Sequence, residues 1–157
     1  MVNKPEISEY GSVDPAPASV VNDVEHLKSI LLDDSARMFE RMRVVFKFRN
    51  IRSVESCLAL CEAFSTDSAL LRHELAYVLG QMQMDEAIPT LIERLSDVEE
   101  HVMVRHEAAE ALGAIGNLTA KPVLEAFLSD SFIEVSESCE VALDLLDWVT
   151  KSSISEQ

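Results

Sequence analysis

The sequence predicts an all-α chain, a solenoid of about four helical-hairpin repeats. Apolar residues recur three and four apart from residue 22 to about residue 149, with no strand-like alternation. Glycine and proline are scarce, 4 and 5 in 157 residues, which disfavours an all-β chain full of tight turns. A nine-residue pattern also returns four times without gaps, starting at Met38, Ala69, Val102 and Ile133, which lie 31, 33 and 31 residues apart. Spacing of that length suits a helical hairpin, which cannot bury its apolar face alone and stacks on its neighbours.

Residues 1–21 contain Pro5, Gly11, Pro15 and Pro17 and no apolar period, and are expected to form a flexible, extended N-terminal arm or linker. The repeat domain is expected over 22–150, with a short C-terminal tail at 151–157. Within the domain, a helix of the repeated pattern alternates with partner helices near 22–32, 54–64, 86–95 and 120–128. Asp67 or Ser68 can cap the helix that follows. Pro89 falls in a first turn, where its missing N–H costs little. Gly116-Asn117 can close the third patterned helix. Leu71, Leu75, Val78 and Leu79 make one buried stripe. Trp148 is expected to cover the last repeat.

Composition narrows the function. With 48% hydrophobic residues the chain can fill a core, and only 6% are aromatic, which fits small-residue helix packing. A net charge of −15 argues against nucleic-acid binding, which needs surplus Lys and Arg, and suits either a basic partner or a simply solvated surface. No apolar run approaches the roughly 20 residues of a membrane span. No hydrophobic segment reads as a secretory signal. Three cysteines with no such signal point to reduced thiols and a cytoplasmic protein. Cys57 and Cys61, four apart, and Cys139 read as small buried hydrophobes. There is no glycine-rich phosphate loop and no Gly-x-Ser-x-Gly elbow.

One repeat position reads Met42, His73, His106, Glu137, and the next reads Arg43, Glu74, Glu107, Ser138. Only the two central repeats carry His-Glu, each preceded by Arg. Like stacks on like in a solenoid, so two imidazoles and two carboxylates should converge on one edge. Neutral imidazole with carboxylate is the ligand set of a divalent transition metal, with iron the leading candidate. Adjacent side chains sit about 100° apart on a helix, so one member of each pair can face the metal while the other flanks it or meets a substrate. A lone His-Glu would read as a surface pair; two pairs in one repeat phase do not. His26 and His101 lie off that phase and read as surface residues.

The segments Leu71-Arg72-His73-Glu74-Leu75-Ala76 and Val104-Arg105-His106-Glu107-Ala108-Ala109, extended to Ser68–Gln83 and Met103–Gly116, resemble deoxyhypusine hydroxylase, a family of HEAT-like repeats. The resemblance runs from about Gly11 to Val149 and is to the family's C-terminal half. Ser12-Val13-Asp14-Pro15-Ala16-Pro17 looks like the linker between its halves, and residues 138–144 look like its end. The resemblance implies a non-haem iron monooxygenase that uses dioxygen to hydroxylate the deoxyhypusine side chain of translation initiation factor 5A to hypusine. It implies that His73, Glu74, His106 and Glu107 are the metal set for Fe(2+), with Glu74 also the catalytic residue that meets the substrate amine. The family has four His-Glu pairs, two per half, around a di-iron site; this chain has two. An N-terminal half or a homodimer would complete the set. The alternative reading is a catalytically silent HEAT-like module that serves as a protein-binding scaffold.

Overall fold

The computed structural model describes residues 3–155, which contain eight α-helices, three short 3-10 turns and no strand. The patterned helices are α2 (Met38–Ile51), α4 (Ala69–Met82), α6 (Val102–Ile115) and α8 (Ile133–Ser155). They begin at the four residues where the pattern begins. The partners are α1 (Val24–Leu31), α3 (Val54–Glu62), α5 (Ile88–Ser96) and α7 (Lys121–Ala126). Three of the connections between successive helices contain a 3-10 segment: 63–65 before α4, 85–87 before α5 and 118–120 before α7.

The local signals act as anticipated. The Ser68 side chain accepts from the Leu71 N–H, Pro89 lies in the first turn of α5, and Gly116 ends α6 in the left-handed region at φ 80°. Asn117 has a separate task, accepting from the Thr119 N–H at the following 3-10 turn. His26 and His101 are exposed, and the His101 ring accepts from the Met103 N–H as the N-cap of α6. Leu71, Leu75, Val78 and Leu79 are fully buried in one continuous core. Cys57 and Cys139 are buried with it, whereas Cys61 is half-exposed.

Small residues let the patterned helices approach. A Cβ on Gly80 would sit 3.0 Å from the Ala111 Cα, and one on Gly113 would sit 2.9 Å from the Ala142 Cα. The equivalent pair at the α2–α4 crossing is Arg49 and Val78, too large for such an approach, and α2 and α4 have far fewer close approaches than α4 with α6 or α6 with α8.

The arginine before each His turns away from that edge. Arg105 donates to the Leu95 carbonyl at 3.0 Å and forks onto Asp130 at 2.6 and 3.3 Å. Arg41 reaches the Leu31 carbonyl in the same way, and Arg72 joins the Thr66 carbonyl to Glu100. These guanidiniums clamp the ends of helices and loops, so the Arg in the motif serves the fold.

Two expectations about the ends change. The described part of the arm has no helix but is tied down. Asp14 pairs bidentately with Arg49, a guanidinium in a residue only 1% exposed, and Tyr10 stacks over it at 4.4 Å. Residues 151–155 continue α8 rather than forming a separate tail; Met1, Val2, Glu156 and Gln157 lie outside the described residues. Trp148 does not cover the last repeat. It is 67% exposed, on an α8 face shared with Val141, Leu145 and Val149, and among the described residues no helix packs on that face. Among the described residues no helix is long and apolar enough to cross a membrane.

Candidate metal centre

Stacking α4 on α6 brings the two His-Glu pairs to one edge. The site is organised around a single oxygen. Glu107 Oε1 lies 3.0 Å from His73 Nε2 and 3.4 Å from His106 Nε2. Both rings therefore turn the same nitrogen toward one carboxylate, although the histidines are 33 residues apart. The side chains are mostly covered, at 30% exposed for His73, 21% for His106 and 13% for Glu107.

Glu74 stands to the side. Its Oε2 is 3.8 Å from His73 Nδ1, too long for a hydrogen bond. Burial pushes its carboxyl above the ordinary range; Glu107 and Asp14 push the same way, against His73 and Arg49. A carboxylate held like this gains most from a cation brought beside it. Met42 and Glu137, at the equivalent positions of the outer repeats, are buried and exposed respectively, and neither joins the cluster.

Two further residues belong here. Glu110 Oε1 lies 3.5 Å from His106 Nδ1, and one ligand atom from each of His106, Glu107 and Glu110 falls within 4.8 Å of the others. The signal was present, since Glu110 is four residues after His106 and so on the same helix face. Ser138 Oγ lies 2.6 Å from His106 Nδ1. In the repeat register Ser138 stands where Glu74 and Glu107 stand. Spatially it does what Glu107 does, meeting the histidine of the preceding repeat.

The donor set of two imidazoles and two or three carboxylates fits a divalent transition metal. No Lys or Arg pairs with Glu107 or Glu110 among the described residues, so the negative charge there is open to a cation. Beside Glu107 an open groove of about 340 Å³ runs toward the helix ends, lined by Tyr77, Gly80, Gln81, Glu110, Ala111 and Ala114. Leu70 and Met103, one turn before each His, are 60% and 40% exposed and leave an apolar margin on the opposite side.

A family model described as HEAT repeats matches residues 57–144. The deoxyhypusine hydroxylase of Candida albicans is 47% identical over 153 residues, covering 95% of this chain and 48% of that protein. The Homo sapiens deoxyhypusine hydroxylase is 47% identical over 147 residues, covering 94% and 49%. The solved structure of the human enzyme, in complex with glycerol, superposes with a TM-score of 0.87 over 92% of this chain and 50% of that one. The chain thus spans about half the length of the relatives it matches. It belongs to the HEAT-repeat family, and within that family it is similar, along nearly all its length, to half of a deoxyhypusine hydroxylase.

Proposed function

We propose that this chain is a deoxyhypusine hydroxylase-like, iron-dependent monooxygenase, or one half of such an enzyme. The observation that carries the reading is the convergence of His73 Nε2 and His106 Nε2 on Glu107 Oε1. Two imidazole nitrogens and a carboxylate oxygen brought together in this way are a donor set that suits a divalent transition metal. His73, His106 and Glu107 would hold Fe(2+), with Glu74 able to ligate from the flank. Bound ferrous iron would supply the activation of dioxygen, and the protein would supply ligation and orientation.

The chain's own residues supply the rest. The groove beside Glu107 is lined by Gly80, Ala111 and Ala114, whose small apolar surfaces suit contact with an alkyl chain. The carboxylates of Glu107 and Glu110 at its side suit a protonated amine. Glu74, short of compensating charge, is placed to meet such an amine from the other flank. These features fit the deoxyhypusine side chain of translation initiation factor 5A, and the net charge of −15 suits capture of a basic substrate loop by steering. The apolar margin at Leu70 and Met103 suits a further protein surface. Two His-Glu pairs on one edge would suit completion by an N-terminal half or a second copy of this chain.

Purification under nitrogen with ferrous iron, followed by metal analysis, tests the centre. Stoichiometric iron per chain is expected. Absence of uptake would leave the scaffold reading in place. Native mass and hydroxylation of a deoxyhypusine-bearing protein, with and without an N-terminal half, then test the assembly; turnover by a strictly monomeric sample would remove the need for a partner.

A further inference from the structure

We infer that Ser138 is a positioning residue that holds His106 in the tautomer with its proton on Nδ1, so that Nε2 is kept bare and aimed at the Glu107 side of the centre. The inference rests on the metal reading above and concerns how this chain prepares one ligand before any metal arrives.

The argument is one of donors and acceptors. The Ser138 hydroxyl has one proton. It donates to the backbone carbonyl of Glu134, one turn earlier in α8, at 2.6 Å. A carbonyl only accepts, so that proton is committed. Toward His106 Nδ1, also at 2.6 Å, the Ser138 oxygen can therefore only accept. The ring nitrogen must be the donor. Every other group that faces this nitrogen agrees: Glu110 Oε1, at 3.5 Å, is a carboxylate oxygen and also accepts. On the far side of the ring, Nε2 faces Glu107 Oε1 at 3.4 Å, a much longer contact than the 2.6 Å one at Nδ1, so the stronger acceptor contact is at Nδ1. A neutral His106 thus keeps its one proton on Nδ1.

The placement is built into the fold. Ser138 is 4% exposed, in the α6–α8 crossing, where Gly113 lets Ala142 come close. In the repeat register Ser138 stands where Glu74 and Glu107 stand. The last repeat thus gives that position to orientation, through a group too short and neutral to ligate in its place. The centre is unequal as a result. His106 has a buried partner that sets its ring, whereas among the described residues His73 Nδ1 has only the longer pairing with Glu74, at 3.8 Å. Outer partners of this kind orient a ligating imidazole and raise its affinity for metal.

The test begins on metal-free, 15N-labelled protein. Long-range ring 1H–15N correlations would be recorded under alkaline conditions, with the neutrality of the ring read from the nitrogen shifts themselves. The His106 signals, assigned with His106→Gln, should show a protonated Nδ1 and a bare Nε2. Ser138→Ala should shift the ring toward the other tautomer, and Ser138→Thr should restore it. Ala and Thr both fit a helix, and circular dichroism checks that each variant folds. Co(II) titration of the same proteins should show Ser138→Ala weaker by about 10–100-fold, with Ser138→Thr recovering most of the loss. A wild-type His106 protonated on Nε2 overturns the inference. So does a Ser138→Ala protein with unchanged tautomer and unchanged Co(II) affinity, which would give the role to Glu110. A wild type that takes up no Co(II) strikes the metal reading alone, and the tautomer measurement still decides this one.

Discussion

Replacing Gly113 with alanine should separate α6 from α8 and unsettle His106 at a distance. The added Cβ would lie 2.9 Å from both the Cα and the Cβ of Ala142 and 3.4 Å from its carbonyl oxygen. Ordinary contacts between such atoms are about 3.5–4.0 Å. Two of the three atoms it meets are backbone, so no side chain can swing aside and the helices must part by several tenths of an ångström. Two effects oppose each other. Alanine is favoured over glycine inside a helix by about 1 kcal/mol. Overpacking of a close crossing costs about 1–3 kcal/mol. The clash should win, with a net loss of up to about 2 kcal/mol, or a fall in Tm of up to roughly 8 °C for a chain of this size. Gly80→Ala meets Ala111 at 3.0 and 3.1 Å and should cost less. Urea unfolding of both variants measures the order. The His106 ring signals should move in Gly113→Ala, because the His106–Ser138 contact spans the same crossing. A Gly113→Ala protein as stable as wild type, with His106 unchanged, would refute the claim that this crossing is set by backbone approach.

The remaining expectations concern the clamps and the centre. Asp130→Ala should cost about 3–5 kcal/mol, since it strands the buried Arg105 guanidinium with only the Leu95 carbonyl and the Phe127 ring; chemical denaturation measures this. Acid should destabilise the fold through the same kind of pair. The Arg105 hydrogen bond holds the Asp130 carboxyl below its ordinary range. At Glu100 burial pushes upward, but Arg72, the His101 N–H and Arg94 together outweigh it and the net direction is down. Stability from both is present above the ordinary carboxylate range near ~4 and is lost as pH falls through the depressed native values. An acid titration should therefore flatten in Asp130→Asn, and an unchanged curve would remove Asp130 from the account. His73→Ala and His106→Ala should each lose most bound iron while keeping helicity, whereas His101→Ala should keep the iron and cost about 1 kcal/mol as a lost cap; metal analysis with circular dichroism separates the three.

The helical solenoid was legible in the chain because its causes are local. An apolar phase, a capping Ser68, a Pro89 in a first turn and a Gly116 at a helix end act within a few residues, and the four patterned helices begin where the pattern begins. The period of the repeat also carried His73, His106 and Glu107 to one edge, since stacked hairpins superimpose equivalent positions. Which atoms then meet was not a property of the pattern. Glu74 and Glu107 occupy the same repeat position, yet Glu107 faces both imidazoles and Glu74 stands 3.8 Å off. That difference lies in the neighbouring helix: Glu107 has the preceding repeat's histidine beside it, while the equivalent position in the repeat before Glu74 is Met42. The role of Ser138, the clamp made by each motif arginine and the docking of the arm on Arg49 have the same origin. Each joins residues 25 or more apart in sequence, or turns a side chain to the far side of its helix. Such contacts depend on how closely two helices cross, and at Gly80–Ala111 and Gly113–Ala142 that distance is set by missing side chains. Trp148 marks the same boundary at the end of the stack. Its apolar face was legible, but what lies opposite it depends on the next helix, and beyond α8 the described chain has none.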